Sequence, residues 1–151
     1  MREADIQRYG RQILLKELGG RGQARLMARH VQVHGRSDTL DDAASYLRLG
    51  GTPLGAAADA VQLASFGTAV SGDAVLVGGG VAWRAKAACD ACWHLTAAAL
   101  PGTPEAPLIV GSLAALAVQR LILGWAEPLG FIEWNGDRIV TREPISCPQH
   151  R

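Results

Sequence analysis

A chain of 151 residues with 48% hydrophobic content is long enough for one domain with a real core, and two full domains would be crowded. Fifteen Lys and Arg against fourteen Asp and Glu leave a formal charge of +1, so nothing in the bulk electrostatics points to nucleic acid or an anionic membrane. The longest apolar run, residues 108–123, covers about 24 Å as a helix, short of a hydrocarbon core of about 30 Å, and reads as a buried helix.

The N-terminus carries Asp, Glu, Arg and Lys without an apolar signal core, which gives the cytoplasm as the expected compartment. Residues 6–29 read as helix, turn and helix: Ile6, Tyr9, Ile13 and Leu14 repeat at helical spacing, Gly19-Gly20 breaks the pattern, and residues 23–29 resume it. Arg8, Arg11, Arg21, Arg25 and Arg29 in this segment read first as a solvated basic face.

Val31-Gln32-Val33-His34 is a short strand, Gly35 its turn, and residues 43–47 open a helical pattern after Arg36, Ser37, Asp38, Thr39, Leu40, Asp41 and Asp42. This is the outline of a nucleotide-binding strand, loop and helix. A phosphate loop needs glycines so that backbone N–H groups can approach the anion at the helix N-terminus. Of the G-x-G-x-x-G pattern only Gly35 survives, with Ser37 and Leu40 at the other two positions. Asp38, Asp41 and Asp42 stand where an anion would sit, and read as N-capping and first-turn acids. The loop is therefore read as degenerate, with ATP not expected.

Gly50-Gly51-Thr52-Pro53 closes that helix. Residues 54–74 are rich in Ala and Gly, with a helix expected over 56–66 and Val61, Leu63 and Ala64 on its buried side. Residues 74–77 form a β-branched strand, and Gly78-Gly79-Gly80 reads as a bulge or a close backbone contact ahead of Val81-Ala82-Trp83. After Cys89-Asp90-Ala91-Cys92 come a loop through Pro101-Gly102-Thr103-Pro104, the apolar helix of 108–123 ended by Gly124, and a hairpin of residues 130–134 and 138–142 around Asn135-Gly136-Asp137.

Cys89 and Cys92 have the same spacing as Cys147 and His150. Two ligands on a tight turn reach one tetrahedral ion, and two such turns supply a closed Cys3His zinc site, which is a structural site and not a catalytic one. A redox C-x-x-C pair is one alternative, although Asp90-Ala91 offers it no basic or proline setting. Unliganded cysteines with a disordered His150 are another. His94 is a possible substitute ligand.

With these pieces on the page, the chain resembles the ThiF/MoeB/HesA family, the bacterial relatives of ubiquitin-activating enzymes. Arg8-Tyr9-Gly10-Arg11-Gln12-Ile13, Glu17-Leu18-Gly19, Gly22-Gln23 and Leu26 look like that family's R-Y-x-R-Q-I, E-x-G, G-Q and L signature. Its V-x-V-x-G-x-G-G-L-G-S strand lays on Val31 to Asp41, with Ser37, Asp38 and Leu40 replacing glycines. Residues 77–81, Cys89, Cys92, Gly111-Ser112-Leu113 and Cys147-Pro148-Gln149-His150 are similar to its knuckle strand, first knuckle, following helix and second knuckle, with His150 replacing a cysteine.

The resemblance implies an α/β fold: a reduced Rossmann-like, ThiF-type unit with a helical arm (1–30), a remnant core (31–88) and a zinc-knuckle, core-helix and hairpin segment (89–151), in one truncated domain with mostly parallel strands. Family members are longer, and the segment lost between about residues 51 and 75 would have carried the ribose acid, the phosphate-binding set and the magnesium aspartate. The family's in-trans arginine matches Arg8 and Arg11. The function implied is a non-catalytic, MoeB-like pseudoenzyme that binds zinc and pairs with itself or with a full-length adenylating homologue, lending Arg8 and Arg11 to the partner's ATP. The alternatives are an adenylyltransferase acting on the C-terminus of a ubiquitin-like sulfur-carrier protein, and a scaffold subunit of an unrelated complex that holds a peptide or enzyme on its exposed sheet edge. The shortened sheet leaves an edge to be covered, so an oligomer is expected under each, a homodimer or heterodimer under the first.

Overall fold

The computed structural model describes residues 1–102 and 106–150. Thr103 and Pro104 of the expected loop lie outside the described residues. The chain is mixed α/β, with a six-stranded mixed sheet in the order β1 (Val31–His34), β2 (Val61–Ser65), β3 (Ala74–Val77), β4 (Gly80–Arg84), β5 (Leu129–Trp134), β6 (Ile139–Arg142). The pairs β1–β2 and β2–β3 are parallel, while β3–β4, β4–β5 and β5–β6 are antiparallel. The expectation of mostly parallel strands is corrected accordingly. The two-residue Gly78-Gly79 turn and the four-residue turn over 135–138 both reverse the chain, and connections this short can only give antiparallel neighbours.

The central strands β2, β3 and β4 are largely buried on both faces and alternate between two cores. Val61, Leu63, Val75, Val77, Val81 and Trp83 face one side, and Ala64, Ala74, Leu76, Ala82 and Phe131 the other, as a two-residue side-chain period requires. The first core is roofed by helices α2 (Gly19–Ala28), α3 (Asp38–Leu49) and α5 (Pro107–Leu123), which contribute Leu26, Leu40, Leu47, Val110 and Val118. The second is roofed by α4 (Asp90–Ala98) through Trp93.

Two elements depart from expectation. Residues 61–65 are strand β2, not the end of a helix over 56–66. The alanines suggested a helix, but Val61 and Leu63 pack on one face and Ala64 on the other, and Gln62 is tied to the His34 ring at 2.6 Å and to the Ala60 carbonyl at 2.8 Å. Helix α4 was not anticipated at all. The triple glycine does mark close backbone contact: a Cβ on Gly78 would lie 2.1 Å from the Pro101 carbonyl oxygen, and one on Gly80 2.4 Å from that of Ile132.

Helix α1 (Glu3–Ile13) and α2 seat against the end of α3. Tyr9 and Gln23 are buried there, and Gln23 Nε2 donates to the Gly50 carbonyl at 3.0 Å. Gly51 has φ +87 and its Cα faces both side chains, so a Cβ would meet Gln23 Nε2 at 2.8 Å and Tyr9 Cζ at 2.9 Å. Among the described residues no helix is long and apolar enough to cross a membrane.

Candidate metal centre

The four knuckle residues come from two distant parts of the chain. Cys89 is the N-cap of α4 and Cys92 lies in its first turn, while Cys147 precedes a single 3-10 turn, Pro148–His150, that swings His150 back over it. Cys92 and Cys147 are buried and His150 is exposed. Their ligand atoms all lie within 4.8 Å of one another. Cys89 Sγ is 3.9 Å from Cys147 Sγ, and His150 Nδ1 is 3.3 Å from Cys92 Sγ and 3.4 Å from Cys147 Sγ. A tetrahedral zinc with Zn–S of about 2.3 Å and Zn–N of about 2.05 Å has S···S edges of about 3.8 Å and S···N edges of about 3.6 Å. The cluster therefore has the dimensions to bind a metal. It holds no disulfide, because all three cysteines are free.

The backbone favours thiolates. The Cys92 N–H, donating toward Cys89, holds the Cys89 thiol below its usual range. The Cys147 N–H donates to Cys92 Sγ at 3.2 Å and pulls that thiol down, but burial and the facing Cys147 and Cys89 sulfurs outweigh it and leave Cys92 raised. Crowded sulfurs that oppose one another's ionisation are the setting a cation relieves.

Two supports hold the cluster. The Ile145 N–H donates to Thr96 Oγ1 at 2.9 Å, fastening the C-terminal segment one turn further along α4. Arg84, buried at the end of β4, reaches Asp90 at 2.6 Å and lies over the Trp93 ring at 5.8 Å, fixing the N-terminus of α4 to the sheet. Sequence reasoning passed over Arg84. Its signal was a cation closing an otherwise apolar strand, with an acid six residues on between the cysteines. His94 is exposed on α4 and lines a separate groove with Phe66, Val70, Trp93 and Ala97, outside the Cys3His cluster.

The helix that starts directly after Cys89 is the setting a redox pair would want. Here, however, both sulfurs of the pair face the Cys147–His150 turn.

The loop after β1 is arranged as a cap. Gly35 takes φ +91, and Ser37, extended at φ −163, accepts the Leu40 N–H on its Oγ at 3.2 Å. Asp38 and Asp41 occupy the first turn of α3. Ser37→Ala should therefore cost about 1 kcal/mol of stability, and Ser37→Asp should restore it, read as the urea midpoint of each variant. An unchanged midpoint in Ser37→Ala would remove the capping role. Arg8 and Arg11 are exposed on α1, and Arg8 lies over the ring of its neighbour Tyr9 at 5.5 Å. Among the described residues, neither lines the groove beside β1 nor belongs to the metal cluster.

No family model matches this sequence, and no curated protein matches it. Among solved structures, the fold matches one titled "Crystal Structure of SeMet PaaA" with a TM-score of 0.68 and 11% identity, over 97% of this chain and 76% of that one. That identity shows a shared fold alone.

The ThiF/MoeB/HesA assignment is corrected on these findings. With no family match, and a fold match to PaaA, the MoeB-like pseudoenzyme reading is withdrawn, together with Arg8 and Arg11 lent to an adenylating homologue. Two of the letters that suggested it, Tyr9 and Gln23, have a local cause. Tyr9, Gln23 and Gly51 interlock to seat the helical arm, and the strand and loop that follow are a capped helix start.

Proposed function

We propose that this chain is a scaffold subunit whose Cys89, Cys92, Cys147 and His150 hold one structural zinc ion, and whose work is done by its surface against a protein partner. The observation that carries this reading is the closed ligand set: four protein donors at tetrahedral spacing fill the coordination of zinc and leave no position for a reacting water. The ion joins the end of the hairpin segment to α4, a link also made by the Ile145–Thr96 and Cys147–Cys92 hydrogen bonds.

The surface supports the partner. Helix α5 is apolar on nearly every side, yet Leu108 is 58% and Leu116 49% exposed. Leu116, with Leu15 and Trp125, borders an uncovered, mainly apolar groove of about 280 Å³. A helix of that composition is normally enclosed.

The test is metal analysis of the purified chain with a chelator-exchange assay. One zinc per chain that survives gel filtration and leaves slowly is expected, with Cys92→Ser and Cys147→Ser each losing it. A purified chain that takes up no zinc, or one whose zinc carries exchangeable water and hydrolyses an activated ester, would overturn the reading.

A further inference from the structure

Strand β1 is an edge of the sheet, and only its first half is covered. Val31 donates its N–H to the Pro53 carbonyl and accepts the Gly55 N–H, each at 2.9 Å, so Leu54 starts a parallel strand beside it. At Gly55, φ +149, the chain turns away. Alternate residues of a strand present both backbone groups to the same side. Val31 faces outward, and His30 pairs inward with Val61. Val33 therefore turns its N–H and C=O outward, and among the described residues nothing pairs with them. No bulge, proline or inward charge guards this half, the usual protection for an edge.

The open half is the wall of a groove of about 460 Å³ between β1, α3 and the departing segment, lined in part by Val33, Gly35, Arg36, Asp41, Arg48 and Gly55. Arg36 stands at the C-terminal end of β1 and Arg48 in the last turn of α3, where Leu54 leaves off. Both are exposed, and among the described residues neither has an ion-pair partner. Asp41 is the lone acid of the lining, so the lining carries a net positive charge.

We infer that this groove takes an extended, acidic segment of a partner protein, which adds to the sheet beside Val33 in the slot Leu54 vacates and sets carboxylates against Arg36 and Arg48. Backbone pairing supplies the affinity of such an addition, and the flanking charges supply the choice of sequence. A second copy of this chain fits less well. Two antiparallel β1 strands centred on Val33 would bring the partner's Gly35–Arg36 turn onto the Leu54 segment. The inference rests on the scaffold reading and names where its partner docks.

The experiment selects a phage-displayed library of random peptides, about eight residues long, on the zinc-loaded chain. The double variant Arg36→Glu, Arg48→Glu serves as counter-selection, and the peptides recovered are synthesised for fluorescence anisotropy. Peptides that alternate apolar and acidic residues are expected. Their affinity should fall at least about tenfold in the double variant, where two attractive pairs become repulsive. N-methylation of every second residue should abolish binding in one register and leave it in the other, because only one set of N–H groups meets the Val33 carbonyl. No enrichment over the double variant, basic winners, or equal tolerance of both methylation registers would overturn the inference. So would sedimentation showing a dimer that the double variant dissolves, since the occupant would then be a second copy. Zinc content and thermal midpoint are measured on the same preparations. An intact, zinc-loaded chain that selects nothing defeats the docking site alone, whereas a chain that takes up no zinc defeats the scaffold reading.

Discussion

Removing the metal with a tight chelator should lower the thermal midpoint by about 10 °C and loosen one end of the molecule before the rest. An ion that binds only the folded chain stabilises it by about 4 kcal/mol when present at about a thousand times its dissociation constant. For a domain of this size each kcal/mol is worth about 2–4 °C. The loss should be local first. Among the described residues strand β6 pairs only with β5, and the segment after it is held by the Ile145–Thr96 hydrogen bond and the Cys147–His150 turn. Strand β5 is also paired with β4 and stays anchored in the sheet. Amide exchange in the chelated protein should therefore quicken over residues 139–150 and remain slow in β3, β4 and α5. Cys147→Ser should reproduce the pattern, because it removes a ligand from a buried position. An unchanged midpoint and unchanged exchange after metal removal would show that the cluster does not staple the fold.

What the sequence disclosed follows from how local each signal is. The β1 strand, the α3 cap, the α5 helix and the hairpin were legible because strand alternation, Ser37 with its first-turn acids, and the Asn135-Gly136 turn act over a few residues. The Cys3His cluster was legible because two equal spacings picked out its four residues, although only the packing of α4 against the C-terminal segment brings them together. Strand β2 was not legible. Its five residues contain Ala64 and follow an alanine-rich stretch, and what makes them a strand is burial between β1 and β3 on both faces, a tertiary fact. The family reading failed for a related reason. Tyr9, Gln23 and Gly51 form one packed joint, and a joint can repeat a motif's letters without the site that gives the motif its meaning.

Gly111→Val should destabilise the chain by about 3 kcal/mol, enough to lower the thermal midpoint by about 10 °C, while Gly10→Ala should stabilise it by about 0.5–1 kcal/mol. In sequence, Gly111 looks like an interruption of an apolar helix. In the fold it is where α5 crosses α3: a Cβ there would lie 2.8 Å from the Thr39 carbonyl oxygen, 2.8 Å from Asp42 Cβ and 3.2 Å from the Ala43 nitrogen. Two of those atoms are backbone of α3, so the strain cannot be relieved by turning a side chain. The helices must separate, and Leu40, Leu47, Val110 and Ala114 lose contact with the larger core. A helical glycine replaced by alanine ordinarily gains about 1 kcal/mol from backbone entropy, and at Gly111 the clash exceeds that gain. Gly10 isolates the same entropy term: it is inside α1, and a Cβ there meets nothing within 4 Å. Urea denaturation of the two variants should move the midpoint in opposite directions. A shift of the same sign in both would mean that propensity, and not the close approach of α3 and α5, governs Gly111.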